Sequence, residues 1–332
     1  MRRYIIDPAV GLRLDTTSAS PTPAPDEVVV QVRAVSLNFR DHLIATGSYP
    51  LPVKSELVPV SDGAGEIVQI GHAVTQFRVG DPVVSMFFPE WQGGGIAAHK
   101  VGSALGGTTD GMLSEQVVLP SSALAPFPPH LSFEQAATLP CAGVTAWNAI
   151  VEVGRVAEGD VVLLQGTGGV STFALQFAKL AGATVIQTSS SDEKLAAARA
   201  LGADHLVNYQ DTPDWDVEAR RLTDGRGVDL VVDIGGAATL ERSLRSVRLG
   251  GRVAAVGLVG GLGMIDPLPI LTGVVNISGV LVGSREMYTA MAQAIAAAGI
   301  EPIIDRSFSF EDAPAAFAYL AAGAAGKIVI RI

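Results

Sequence analysis

Gly166 and Gly168 stand two apart in the run LLQGTGGVSTFALQFAKLAG (163–182), with Gly169 and Val170 directly behind them. Glycines at this spacing let a backbone come close to a bulky anion. The apolar run Val161–Leu164 before them predicts a buried strand, and Phe173, Leu175, Phe177, Ala178 and Leu180 after them recur at helical spacing. The turn therefore opens a helix whose N–H groups and dipole favour an anion, and a pyrophosphate is the one expected. The fingerprint G-x-G-x-x-G is met at its first two positions, with Ser171 at the third. In a chain of 37 glycines the same turn could be an ordinary strand-to-helix connection. What narrows the reading is a second strand, Thr184–Thr188, one βαβ length further on. At the tip of that strand an NAD site carries Asp or Glu for the ribose 2′-OH, whereas here the tip is Ser189, Ser190 and Ser191, with Lys194 one helical turn later. Hydroxyls and an ammonium suit a 2′-phosphate, so the expected cofactor is NADPH. Asp192 and Glu193 fit the acid-rich first turn of a helix capped by Ser191.

The elements that must position these residues follow from periodicity. Strands are expected at 160–165, 183–188, 204–208, 228–233, 251–256 and 276–282, with helices between most of them, notably 192–201 and 237–247. This alternation predicts an α/β fold with a Rossmann-type, doubly wound parallel sheet. The first 120 residues differ: EVVVQVRAVSL, GAGEIVQIG and DPVVSMF are short β-rich runs between Gly, Pro and Asp turns, as in an irregular, barrel-like β domain. The tail resumes with SFSF, a helix at about 311–322 and a strand from Lys327, returning to the first domain. The expected division is a β-rich domain of 1–121 completed by 300–332, and a nucleotide-binding domain of 122–299. A cleft between two such domains is the default place for cofactor to meet substrate.

Composition limits the partners. The 332 residues carry a net charge of −10, which argues against nucleic acid and anionic membrane. Mean hydropathy is positive, yet no apolar run reaches the ~20 residues of a membrane span, and the start MRRYIIDPAVGLRLD is too short in apolar residues for a signal peptide. With one cysteine, Cys141, there is no intrachain disulfide, and the default location is cytoplasmic. The five histidines show no H-x-x-x-H pairing, and no metal site is expected from them.

Six stretches in order along the chain resemble the medium-chain dehydrogenase/reductase superfamily, in its zinc-free, quinone-oxidoreductase-like branch: VSLNFRDHLIATGSYP (35–50), VPVSDGAGEIVQIG (58–71), ATLPCAGVTAWNAI (137–150), the glycine turn, LGADHLVNY (201–209) and GKIVIRI (326–332). The resemblance implies that the β-rich domain is GroES-like and catalytic. Zinc-dependent members hold their metal at three positions that here read Asn38, Ser61 and Cys141, and the four-cysteine zinc loop is absent from 87–105. Asn and Ser are poor replacements around Zn²⁺. Without a Lewis acid the reaction must rely on hydrogen bonds, which favours an enone or quinone, whose developing charge spreads onto a carbonyl oxygen.

The resemblance further places Asn38, Asp41 and Tyr49 beside the nicotinamide as a catalytic polar floor. Asn38 could equally be a turn-stabilising amide, and Asp41 a partner of Arg40 or a helix cap. For the cofactor it implies Thr145 at the pyrophosphate, Ser190, Lys194 and Tyr209 near the 2′-phosphate, Gly257 and Leu258 beneath the nicotinamide ribose, Val282, Gly283 and Ser284 at the carboxamide, and Lys327 in the closing strand. It also implies a homodimer joined through the last strand of the sheet. The leading expectation is an NADPH-dependent reductase of enones or quinones. The alternatives are a zinc-independent alcohol dehydrogenase or carbonyl reductase, for which FFPEWQGGG (87–95) could shape a pocket, and a non-catalytic NADPH-binding protein.

Overall fold

The computed structural model describes residues 1–7, 11–16 and 21–332. In chain order the strands are β1 (Arg2–Asp7), β2 (Gly11–Thr16), β3 (Glu27–Leu37), β4 (Asp62–Ile70), β5 (Pro82–Ser85), β6 (Gln116–Pro120), β7 (Leu124–Ala125), β8 (Val161–Gln165), β9 (Thr184–Ser189), β10 (His205–Asn208), β11 (Val228–Asp233), β12 (Val247–Ala255), β13 (Asn276–Gly279), β14 (Ile304–Ser309) and β15 (Lys327–Arg331). They fall into two compact units, one of residues 1–144 with 283–332 and one of 145–282.

The long strand β3 organises the first unit. Its valine-rich run suits a pleated, buried surface, and β4 pairs antiparallel along one edge from Val28 to Ser36. The other edge is shared: Glu27–Gln31 pair with β6 and Ala34–Leu37 with β15. With β14, β5 and β7 this makes a seven-stranded sheet, while β1 and β2 form a hairpin apart from it. Val30, Val32, Val35, Ile67, Leu113, Leu124, Phe317 and Ile328 share one buried core, so the tail is part of this unit's interior.

The second unit is the expected parallel sheet. Its order, β10-β9-β8-β11-β12-β13, reverses direction between β8 and β11, and in such sheets the crevice outside the strand ends at this reversal is where ligands bind. Strand β8 is buried through its apolar run, and Leu163, Ile186, Val231 and Val253 form the core across four adjacent strands. Helix Gly169–Leu180 turns Phe173 and Phe177 inward, their rings 5.9 Å apart.

The units divide later than 121/122 and earlier than 299/300, because 122–144 and 283–298 pack with the β-rich unit. Tyr288 donates its hydroxyl to Pro126 O at 3.0 Å, and Arg285 N donates to Trp91 O at 2.9 Å. A Cβ on Gly143 would lie 3.1 Å from Met291 Sδ, so helix Arg285–Ala298 rests closely on the 139–143 turn. Among the described residues no helix is long and apolar enough to cross a membrane.

Candidate functional site

Two arrangements of polar groups stand out, one in each unit. In the 145–282 unit β8 ends at Gly166, whose φ of +65° favours glycine and where a Cβ would come within 3.2 Å of Ile234 Cδ1. Gly168 is the residue before helix Gly169–Leu180, and a Cβ there would meet nothing within 4 Å. The fold itself does not need glycine at 168. Ser171, in the third glycine position, donates to Gln165 O at 2.6 Å and so ties the helix start to the strand end. Gln187 donates to Gly166 O and to Leu164 O from the neighbouring strand.

The tip of β9 lies beside this turn. Ser189 is buried with its Oγ 3.4 Å from Thr167 Oγ1, Ser190 is partly exposed, and Ser191 caps helix Asp192–Ala200 by accepting from Lys194 N at 3.3 Å. The Asp192 carboxylate accepts from Asn208 Nδ2 at 3.0 Å. Tyr209 N donates to Ser189 O, which holds the exposed tyrosine near the serine tip.

Asp233, at the end of β11, organises the next loop. One of its oxygens accepts from Gly235 N, Gly236 N and Thr239 Oγ1, and the other from Ser243 Oγ and Gln165 Nε2. The loop after β12 zips onto it through Val259 N to Ile234 O and Gly260 N to Gly235 O. Gly257 lies within this zip, where a Cβ would fall 2.5 Å from Ile234 O, and Leu258 is exposed beside it. Thr145 is buried, and Val282 has φ +51°, a conformation a β-branched residue rarely adopts, with its carbonyl accepting from Asn148 Nδ2 at 2.8 Å.

In the β-rich unit the polar groups are buried together. Lys327, 3% exposed, donates to Leu37 O at 2.7 Å and to Asn38 Oδ1 at 2.6 Å. Asn38 N donates to Asp41 Oδ2 at 2.8 Å at the start of helix Phe39–Ala45. Burial raises Asp41 to about 6 against the pull of the Arg40 guanidinium. Asp62 accepts from Ser61 Oγ at 2.7 Å and from Cys141 N at 3.1 Å; burial pushes it up, while Lys327, the Asn38 amide and Ser61 oppose the rise. Burial and the Asp62 charge push the Cys141 thiol up to about 12. Arg40 stacks over the Phe87 ring at 4.0 Å. Tyr49 packs against Ile6, Ile44 and Leu57, and burial raises its hydroxyl.

Residues 24–129 match the family model of the alcohol dehydrogenase GroES-like domain, and 169–297 that of zinc-binding dehydrogenases. A zinc-type alcohol dehydrogenase-like protein of Schizosaccharomyces pombe is 44% identical over 93% of this chain and 91% of its own length. The chain belongs to the medium-chain dehydrogenase/reductase superfamily. It is accordingly an oxidoreductase. The structure of an NAD-dependent alcohol dehydrogenase is 34% identical with a TM-score of 0.91, covering 100% of both chains. That of a Pseudomonas syringae quinone oxidoreductase is 28% identical with a TM-score of 0.84, covering 100% of this chain and 99% of its own.

Zinc, which many members of the superfamily hold, does not fit the residues at its positions here. Asn38 turns its oxygen to an ammonium and Ser61 is bonded to Asp62, which leaves Cys141 as the one ordinary zinc ligand of the three. Among the described residues no group of three His, Cys, Asp or Glu converges as a metal site.

Of the residues singled out in the sequence, Asn38, Asp41 and Lys327 come together in one buried network, although Lys327 was expected at the cofactor. Gly166, Gly168, Gly169, Val170, Ser189, Ser190 and Lys194 gather at the ends of β8 and β9. Gly283 and Ser284 belong to the β-rich unit, where Ser284 Oγ caps helix Arg285–Ala298 by accepting from Met287 N. Sequence reasoning missed Asp62, Asp233 and Gln165. Each is a polar residue at the start or the end of a strand, beside apolar residues, and that is the one signal that could have flagged them.

Proposed function

We propose that this oxidoreductase is an NADPH-dependent reductase of enones or quinones that works without zinc. The observation that carries the reading is that the positions 38, 61 and 141 hold Asn, Ser and a single Cys, a set that does not suit a metal, with the Asn38 oxygen accepting from a buried ammonium and Ser61 bonded to Asp62. When bound, NADPH supplies the hydride. The turn 166–170 would hold its pyrophosphate and Ser189, Ser190 and Lys194 its 2′-phosphate, with Asp192 engaged by Asn208 and so drawn away from a ribose hydroxyl.

The chain's own work is to stabilise the oxygen that gathers charge as the substrate is reduced. Asn38 supplies an amide donor. Tyr49, its hydroxyl raised by burial, stays protonated across neutral pH and can donate to the same oxygen or pass on its proton. A saturated ketone or alcohol needs stronger polarisation than these donors give, so activated substrates are favoured. The same reading makes the protein a cytoplasmic homodimer. The names of two relatives, one of them of zinc type, favour alcohol dehydrogenation; with the residues present here the second reading is a zinc-independent alcohol dehydrogenase or carbonyl reductase.

A panel of cyclohexenone, 1,4-benzoquinone and a saturated aldehyde, assayed with NADPH and NADH, and of a primary alcohol, assayed with NADP⁺ and NAD⁺, all in excess chelator, tests the proposal. Turnover of the enone or quinone is expected. Turnover of the aldehyde or alcohol alone would favour the second reading. Binding of NADPH without any turnover would make the chain a non-catalytic nucleotide-binding protein.

A further inference from the structure

Lys327 is the first residue of β15, and Ile328 of that strand pairs with Leu37 of β3, so Lys327 faces the start of Asn38 one step further along. The approach is fixed from behind by Gly326, whose φ is +120° and where a Cβ would lie 2.8 Å from Ile303 O. The two backbones thus bring an ammonium and a carboxamide together inside the β-rich unit. An ammonium only donates, so it accepts just one orientation of the amide: Oδ1 must face Lys327 and Nδ2 must face away. Asn38 is 8% exposed, and among the described residues its Nδ2 closes no hydrogen bond. The Asp62 carboxylate draws on this amide, since a side-chain hydrogen bond from Asn38 opposes that carboxyl's rise, but the contact falls short of full hydrogen-bond geometry and the amide carries two N–H groups, so at least one is left without an acceptor. A buried N–H without an acceptor is costly and rare, and such a donor is free to serve a ligand that completes it.

We propose that Lys327 is a positioning residue: it locks the Asn38 carboxamide with its NH2 group turned to the substrate oxygen and polarises that donor as charge develops there. This rests on the reading of Asn38 as the donor to substrate, and it takes Lys327 away from the cofactor role that the resemblance gave it. The Nζ atom already donates to two protein oxygens within its own unit, which leaves at most one N–H for a phosphate.

The test is a double-mutant cycle on the full chain with 1,4-benzoquinone or cyclohexenone, whichever turns over, using Lys327→Met, Asn38→Ala and the pair. Each single change should lower kcat by about 10²-fold, with KM for the substrate and the fluorescence-measured NADPH affinity moving less than about threefold. The pair should be no slower than Asn38→Ala, because Lys327 acts through Asn38. Lys327→Arg, which keeps a charged donor, should recover part of the rate. If Lys327→Met does not fold, Lys327→Gln takes its place in the cycle, keeping a donor without the charge. Multiplicative losses in the pair, or an NADPH affinity that falls tenfold in the Lys327 variant while kcat holds, would overturn the positioning role and leave the reductase reading standing. Full activity in Asn38→Ala would overturn the role of Asn38 and with it that of Lys327. A wild type that reduces nothing in the panel removes both readings.

Discussion

Lys327 Nζ lies 2.6 Å from Asn38 Oδ1, a contact between residues 289 apart in sequence. It ties the closing strand to the start of the helix that follows β3, and through Asn38 N it reaches Asp41 as well. A lone asparagine before a short helix reads as a turn residue. With an ammonium fixing its oxygen, the same side chain becomes an oriented donor.

Asp41 gives this network a pH dependence. Burial raises its carboxyl to about 6 from the usual 3.8, so the folded state binds a proton more tightly than the unfolded chain. Stability from this group is present below pH 3.8 and is lost as pH rises through 6, by up to about 3 kcal/mol. Asp41→Asn keeps an oxygen to accept from Asn38 N and carries no charge. The variant should therefore match the wild type in urea midpoint near pH 4 and exceed it at pH 8. The same gap at both pH values would show that Asp41 does not ionise in the fold with this penalty.

The parallel-sheet unit was legible because its signals are local. Gly166, Gly168 and the apolar run before them share a single turn, and parallel strands buried on both faces read as unbroken apolar segments. The polar cluster was legible only in part. Asn38 and Asp41 stood out through the resemblance, but nothing in the sequence joins Lys327 to Asn38, since antiparallel pairing of β3 with β15 is a long-range event. The division at 144/145 and 282/283 escaped for a related reason. Helix Arg285–Ala298 has ordinary helical spacing, and its allegiance is set by where Tyr288 and Met291 pack.

The two glycines of the turn should separate fold from binding. At Gly166 the left-handed backbone and the nearness of Ile234 make Gly166→Ala costly, about 1 kcal/mol or more. At Gly168 φ is −75° and the space is open, so Gly168→Ala should leave the melting temperature nearly unchanged. Its methyl would occupy the room a pyrophosphate needs, and NADPH affinity should fall at least tenfold. Unchanged NADPH binding in a folded Gly168→Ala protein would move the phosphate site away from this turn.

The proposed preference for NADPH rests on the serine tip. Removing one charge-assisted contact in Lys194→Ala should weaken NADPH by about 1.5–3 kcal/mol and leave NADH nearly unaffected. Isothermal titration with both nucleotides separates the cases. Equal losses for the two would mean that Lys194 contributes to the helix rather than to a 2′-phosphate.

The edge of the parallel sheet leads to an assembly prediction. Strand β13 ends the sheet order, so one side of it lacks a neighbouring strand among the described residues. The 260–275 segment could have folded its apolar residues over that edge, but Leu262, Met264, Leu268 and Leu271 are all more than half exposed, Met264 at 99%. Bare strand edges and large apolar patches both invite a partner, and a two-fold pairing of identical edges satisfies both at once. Light scattering at micromolar concentration should therefore give about twice the mass of the 34.3 kDa chain. The position for a disrupting charge needs care: Val280 is 7% exposed and lies inside its own unit, so a charge there would unfold the chain, whereas Leu281 is 42% exposed. Leu281→Asp should leave the melting temperature of the isolated subunit close to its wild-type value and shift the mass toward one chain. A wild type that scatters as a single chain would rule out the edge-to-edge dimer.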